Sequence, residues 1–250
     1  MSEFFASLQE NFSFILVCLL IFAALFLVAW LAERFLLRQR SGVSKARYIS
    51  YVAMFSALAA VLMLFEIPLF FAPSFYQLDL SELPILICTF LLGPVAGVVT
   101  EFLKIVIKLV LKGTSTAYVG DFANFVVGCA LILPASIVYH FRRTRKSALV
   151  GMIVGTVILT AFGSFFNAIY LLPRFAALYG MPLDAIIGLG TQLNPAINSV
   201  STLVLFAVVP FNLLKGIVVS LLTFLLYKRI SPILHKNDAR KMQKKITKEM

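Results

Sequence analysis

The stretch Leu149–Leu172, LVGMIVGTVILTAFGSFFNAIYLL, runs twenty-four residues without a charged side chain. A hydrocarbon core about 30 Å thick takes roughly 20 helical residues to cross, so this one segment already asks for a bilayer. Working outward from it, similar apolar runs recur at Phe12–Leu37, Tyr48–Phe65, Leu83–Leu92, Val95–Leu111 and Phe122–Tyr139, and again at about Leu203–Tyr227. The chain of 250 residues is 61% apolar and only 13% charged, with a mean hydropathy of +0.97. A soluble domain carries about a quarter charged residues, so there is too little polar side chain here to coat a globule. Seven spans use on the order of 140 residues, which leaves no room for a soluble catalytic domain of about 100. The reading is an all-α integral membrane protein.

The first run is too long for a signal-peptide core and follows Glu3 and Glu10 rather than a basic start, so it reads as a membrane helix. The run Leu83–Leu92 stops at Gly93-Pro94 and is short for a full crossing, so its flanks or neighbours must shield it. Pro173–Asn198 holds three prolines and several glycines and reads as a structured loop rather than a span. Cys18, Cys88 and Cys129 lie inside apolar runs with no metal-ligand spacing and read as small packing residues.

The net charge of +11 becomes a topology signal once sorted by loop. With seven spans, the 34–47 linker, the Gly93 turn, the 142–146 loop and the tail after Tyr227 share one side. They hold seventeen of the 22 lysines and arginines. The other side carries Glu3, Glu10, Glu66, Asp79, Glu82, Asp121 and Asp184 and is basic only at Lys112 and Arg174. The basic side is therefore expected in the cytoplasm, with the N-terminus outside and the C-terminus inside. Dropping any span would scatter the clusters over both faces.

Polar residues at membrane depth are costly and so point to function. Glu101, Lys104 and Lys108 are spaced three and four apart on one helical face. A salt-bridged stripe packed inward, with Lys108 and Lys112 snorkelling outward, is one reading; a substrate or coupling role is the other. Asn124, Asn167, Asn212 and Lys215 fall in the outer halves of their runs, the last two on one face just after Pro210. Convergence would make a polar patch in an apolar, aromatic cavity, the composition of a small-molecule site. Asparagine both donates and accepts, which suits a flat heterocycle with imide and ring-nitrogen groups. Each asparagine can equally be interhelical glue. For Asn212 with Lys215 a ligand is favoured, because a buried lysine without a partner is costly. Ala53 with Ala57 and Ser56 with Ala60 are small pairs four apart, so one flank of the second run allows close approach, for internal packing or for a partner subunit.

No phosphate-binding Gly-x-x-x-x-Gly-Lys-Ser/Thr and no His-Glu-x-x-His occurs, and His140 and His235 flank basic segments. No nucleophile–base pair or metal cluster is visible, so an enzyme is disfavoured and no metal or cofactor is expected. No repeat divides the chain into similar halves, against a transporter of inverted repeats.

Five segments in order carry a resemblance: Leu-Asp-Leu-Ser-Glu-Leu-Pro (78–84), Gly-Pro-Val-Ala-Gly (93–97), Phe-Ala-Asn-Phe (122–125), Asn167 before Leu-Leu-Pro (171–173), and Pro-Phe-Asn-Leu-Leu-Lys-Gly (210–216). Together they resemble the riboflavin-binding S components of energy-coupling factor (ECF) vitamin transporters, over about Lys45–Leu234. The resemblance implies a six-helix core that captures riboflavin, with FMN as a second candidate, outside a bacterial plasma membrane. The flavin would be transported ligand rather than cofactor. The resemblance also implies a separate transmembrane coupling subunit and two ATPases as partners, no nucleic acid, and toppling of the subunit to deliver its substrate. It places docking on Ala53, Ala57 and Ala60, a lid on Phe75, Tyr76, Gln77, Leu78 and Asp79, and the pocket on Asn124, Asn167, Asn212 and Lys215. The chain departs from that pattern in one helix prefixed to the core. The expected organisation is thus residues 1–44 as an extra helix and basic linker, 45–234 as the six-helix substrate-binding domain and 235–250 as a basic cytoplasmic tail. An S component for another vitamin, or a membrane receptor or scaffold without a transport role, are the alternatives.

Overall fold

The computed structural model describes residues 2–36, 43–114, 116 and 118–227. Part of the basic linker and the whole expected tail at 235–250 lie outside these residues. Helix α1 (Ser2–Leu31) runs into a wide π turn at Ala32–Leu36, and α2 spans Lys45–Met63. A loop follows in which β1 (Ile67–Pro68) pairs antiparallel with β2 (Gln77–Leu78). Then come α3 (Glu82–Leu92), α4 (Pro94–Lys112), α5 (Val119–Arg142), α6 (Arg145–Leu178), α7 (Leu183–Thr191) and α8 (Val200–Tyr227). The architecture is all-helical, a six-helix bundle of α2–α6 and α8 preceded by α1.

Five of these helices are long and apolar enough to cross a membrane. The other two crossing segments of the bundle, α3 and α4, fall short for different reasons. At about 1.5 Å per residue α3 is only about 16 Å long, and α4 carries Glu101, Lys104, Lys108 and Lys112. Helix α3 is covered by neighbours rather than by lipid, with every residue except Leu83 and Leu91 buried, and α4 turns Glu101, Lys104 and Lys108 inward.

Local chemistry sets the boundaries. The α3–α4 break falls where Gly93 has φ +114°, a region closed to most side chains, and Pro94 occupies the first turn of α4. Helix α6 starts on a capping box between Thr144 and Ser147. Two further π turns, Asn167–Leu171 in α6 and Val204–Val208 in α8, each end two residues before a proline, Pro173 and Pro210. Proline has no N–H for the carbonyl four residues back and its ring crowds that carbonyl. Widening the preceding turn absorbs the misfit without ending the helix. Pro173 therefore does not begin a loop, as its sequence context suggests: α6 continues to Leu178, and part of the expected loop forms α7.

Helix α5 is the hub, packed against α3, α4 and α6. Gly151 and Gly155 of α6 lie on the α5 backbone: a Cβ at either would come within 2.6 and 2.5 Å of the carbonyl oxygens of Ala135 and Leu131. Close helix approach through small residues is the usual source of cohesion where lipid is as apolar as the core. Large apolar side chains such as Leu20 and Leu27 of α1, Ile153 and Phe165 of α6 and Leu221 and Leu225 of α8 point outward. The prefixed α1 packs on the α4–α5 face, with the Phe22 ring 4.5 Å from Phe102 and 5.9 Å from Phe125. At its end the Glu33 carboxylate accepts the Val95 N–H at 2.9 Å and caps α4, in space that a side chain at Gly93 would fill.

Gly155→Val is expected to force α5 and α6 apart and to lower stability by about 1–3 kcal/mol, whereas Val157→Ala on the lipid-facing side leaves it nearly unchanged. Thermal unfolding of the detergent-purified chain, read by tryptophan-independent aggregation or circular dichroism, makes the comparison.

Candidate functional site

The loop after α2 does not stay at the surface. It descends into the bundle, so that Asp79, Ser81 and Glu82 are all at least 98% buried. Charged groups taken out of water need partners, and two lysines supply them. Lys215 of α8 sits 3.0 Å from both Asp79 Oδ2 and Glu82 Oε1. Lys104 of α4, fully buried, donates to Glu101 Oε1 at 2.5 Å, Asn124 Oδ1 at 2.7 Å and Ser81 Oγ at 3.1 Å, with Glu82 Oε1 at 3.5 Å. The Ser81 N–H also donates to Asp79 Oδ1 at 2.9 Å, so both oxygens of this carboxylate are engaged. Lys215 is therefore not the partnerless lysine that its apolar sequence context suggests.

Two further pairs tie the same end of the bundle. Lys108 does not snorkel outward; it is buried and bonded to Asp121 at 2.6 Å. Lys112 is exposed and pairs with Glu66 beside β1.

Above the network, between the start of α5, the far part of α6 and the middle of α8, lies a partly open cavity of roughly 110 Å³, smaller than the about 300–1,000 Å³ usual for occupied small-molecule sites. Phe75, Tyr76 and Gln77 close it from the loop. Gly120, Ala123, Asn124 and Val127 line it from α5, Asn167, Leu171 and Phe175 from α6, and Phe211, Asn212 and Lys215 from α8. Ring contacts hold the loop down: Phe75 lies 5.2 Å from Phe175, and Tyr76 5.5 Å from Phe211.

Six of the eight side chains expected at the ligand thus surround one cavity: Tyr76, Gln77, Asn124, Asn167, Asn212 and Lys215. Leu78 and Asp79 do not line it. Leu78 is buried in an apolar cluster with Ile186, Ile197 and Leu203, and Asp79 lies in the ion network. The strict two-residue alternation at β2 turns Gln77 and Leu78 to opposite sides. Glu82 and the aromatic walls Phe175 and Phe211 were not singled out from sequence. Glu82 carries a signal, since it stands one turn from Asp79 in the 78–84 motif; two phenylalanines among 24 carry none.

The polar groups are not equally free. Asn167 accepts from the Tyr76 hydroxyl at 2.6 Å and donates to the Gly163 carbonyl at 2.7 Å. Asn124 accepts from Lys104 and reaches Asp79 Oδ2 only at 3.4 Å. Asn212 Nδ2 is buried with no hydrogen-bond partner among the described residues, and Gly163 makes room for it: a Cβ there would come within 2.9 Å of that nitrogen. With its oxygen bonded to Lys104, Asn124 leaves N–H donors for the cavity between aromatic walls, whereas Asn212 Nδ2 is enclosed against α6. Among the described residues no group of three or more His, Cys, Asp or Glu could hold a metal ion.

Of the small residues on α2, Ala53 and Ala57 are exposed on the face away from the bundle. Ala60 is fully buried, and so is Ser56, which donates to the Val52 carbonyl at 2.7 Å and approaches the Thr100 carbonyl of α4 at 3.4 Å.

Residues 47–227 match the family model described as the ECF transporter, substrate-specific component. The chain is 32% identical over 197 residues to riboflavin transporter RibU of Staphylococcus aureus (strain TCH60), a match covering 79% of this chain and 97% of that protein. It is 28% identical over 191 residues to riboflavin transporter FmnP of Bacillus subtilis (strain 168), covering 75% and 94%. Its fold is similar to the solved S component of a bacterial ECF transporter, with TM-score 0.60 and 34% identity over 76% of this chain and 99% of that one.

Removing Lys215 strands two buried carboxylates. Lys215→Ala is expected to lower stability by about 3–5 kcal/mol, and combining Lys215→Met with Asp79→Asn to cost less than Lys215→Met alone.

Proposed function

The chain belongs to the family of ECF transporter substrate-specific components, and from that premise we propose that it captures riboflavin at the outer face of a bacterial plasma membrane. The observation that carries the reading is the cavity beneath the Phe75–Gln77 loop, where aromatic walls flank the amide side chains of Asn124 and Asn212 and the Lys215 side chain. A flavin ring is flat and apolar over both faces, and its pyrimidine edge bears two carbonyls and a ring nitrogen that accept hydrogen bonds and an imide N–H that donates one. Relatives that share most of the chain's length carry the name riboflavin transporter. The single ammonium on the cavity wall is already held by Asp79 and Glu82, which favours the uncharged vitamin over its phosphate ester FMN.

As a member of this family the chain is a multi-pass transport subunit and not an enzyme, and it works with an ECF module. The finer assignment is that one transmembrane coupling subunit and two ATPases supply the energy, and that the N-terminus lies outside and the C-terminus inside. The concentration of basic residues on one set of loops supports that orientation. Docking is assigned to the exposed flank of α2 at Ala53 and Ala57, where small side chains permit close helix approach; Ala60 contributes from inside by seating α2 on α4.

Protein purified under native conditions should carry or bind riboflavin with micromolar affinity or better, read as quenching of flavin fluorescence, and should bind FMN more weakly. Asn212→Ala and Lys215→Ala should weaken binding more than Lys104→Ala does. Absence of flavin binding, with another vitamin shifting the melting temperature, would replace the substrate and leave the family standing.

Ala57→Trp should leave flavin binding by the isolated chain intact and abolish uptake by cells that co-express the energising module. Loss of binding as well would make that flank part of the internal packing.

A further inference from the structure

The cavity is reached by one side chain whose hydrogen-bonding sense is fixed from behind. Asn124 has both an acceptor and two donors, and its amide can in principle turn either end to the cavity. Lys104 removes the choice. Its ammonium, fully buried on α4, donates to Asn124 Oδ1 at 2.7 Å. An ammonium has no acceptor, so the opposite amide orientation would set N–H against N–H beside a fully buried charge. The Asn124 oxygen is thereby committed to Lys104, and its nitrogen is left with one long contact of 3.4 Å to Asp79 Oδ2 and the open cavity.

Lys104 is itself held against rotation. Glu101 Oε1 at 2.5 Å and Ser81 Oγ at 3.1 Å take its remaining protons. Behind Glu101, Gly128 of α5 leaves the space that the carboxylate occupies. None of these groups lines the cavity, yet together they determine what Asn124 presents to it.

We propose that Lys104 is a specificity-determining positioning residue, which makes Asn124 a donor toward the ligand and so selects a ring edge that presents an acceptor at that point. This rests on the flavin reading of the cavity. It assigns a role to the charged stripe of α4 that spacing alone leaves open between packing and function.

The test is a double-mutant cycle on riboflavin affinity with Lys104→Met and Asn124→Ala in the full chain. Each single change should weaken binding about ten- to a hundredfold, the range of one charge-assisted hydrogen bond. The double variant should be no weaker than the worse single, because Lys104 acts through Asn124. The absorption bands of the bound flavin, which respond to hydrogen bonds at the ring, should shift alike in both single variants. If the two losses multiply, or if Lys104→Met leaves the bound-flavin spectrum as in the wild type, the proposal fails and Lys104 is structural. The same cycle in a Glu101→Gln background, where Lys104→Met restores the network's wild-type net charge, serves if Lys104→Met alone does not accumulate. A wild-type chain that binds no flavin overturns the underlying reading, an outcome distinct from multiplying losses in a chain that binds.

Discussion

Five charged side chains, Asp79, Glu82, Glu101, Lys104 and Lys215, meet in the middle of a bundle whose outside is lipid, and the rest of the molecule is arranged around their need for one another. Neither water nor hydrocarbon is available to stabilise an unpaired charge there. Each lysine comes from a different helix, and two of the carboxylates come from the loop before α3 and from its first turn. That loop must descend to meet them. The descent explains the short α3: its polypeptide crosses the same thickness as its neighbours, but the outer part of the crossing is made by irregular backbone buried within protein, where such backbone is tolerated.

The same network decides what the cavity can recognise. It lies directly under the cavity floor and takes up hydrogen-bonding capacity that the floor would otherwise present: the Asn124 oxygen, and the charge of Lys215. Asn167 is occupied by Tyr76 and Gly163. What remains to face the space includes the nitrogen of Asn124, whose oxygen Lys104 occupies, while Asn212 Nδ2 is enclosed against α6 at Gly163. A site lined by Gln77, three asparagines and a lysine looks ambivalent from composition; partners in the bundle fix the sense of Asn124 and Asn167. The aromatic contacts from Phe75 to Phe175 and from Tyr76 to Phe211 then place the loop as a cover whose underside is apolar.

How far this could be read from the chain depends on range of interaction. Helical crossings are local and hydropathic, so the runs around Leu149–Leu172 translate directly into helices. Asn212 and Lys215 share a face by spacing alone, and their convergence with Asn124 and Asn167 follows because all four sit toward the same end of their runs. The partners of Lys215 are 136 and 133 positions away, beyond any periodicity, and only the 78–84 motif hints that Asp79 and Glu82 turn inward. Pro173 shows the opposite failure. Its local signal to end a helix is real, but a π turn one step earlier satisfies it, and the helix continues because its outer end has Phe175 and Ala176 to bury.

The prefixed helix α1 stands outside the region that matches the family model, which begins at residue 47. It is nonetheless fitted to the bundle at both levels of specificity available to a membrane helix. Its side chains at Cys18, Ile21, Phe22, Leu25, Phe26 and Ala29 recur at three and four residues and face the core, and a carboxylate at its far end, Glu33, satisfies the Val95 N–H of α4. Lipid-solvated helices gain little from apolar contact as such, so a polar cap placed where Gly93 leaves room is what fixes α1 to one seam. That seam is between α4 and α5, and Ala53 and Ala57 of α2 stay exposed. An added helix that had settled on α2 would have covered the flank proposed for the coupling subunit; this one instead braces the two helices that carry Lys104 and Asn124.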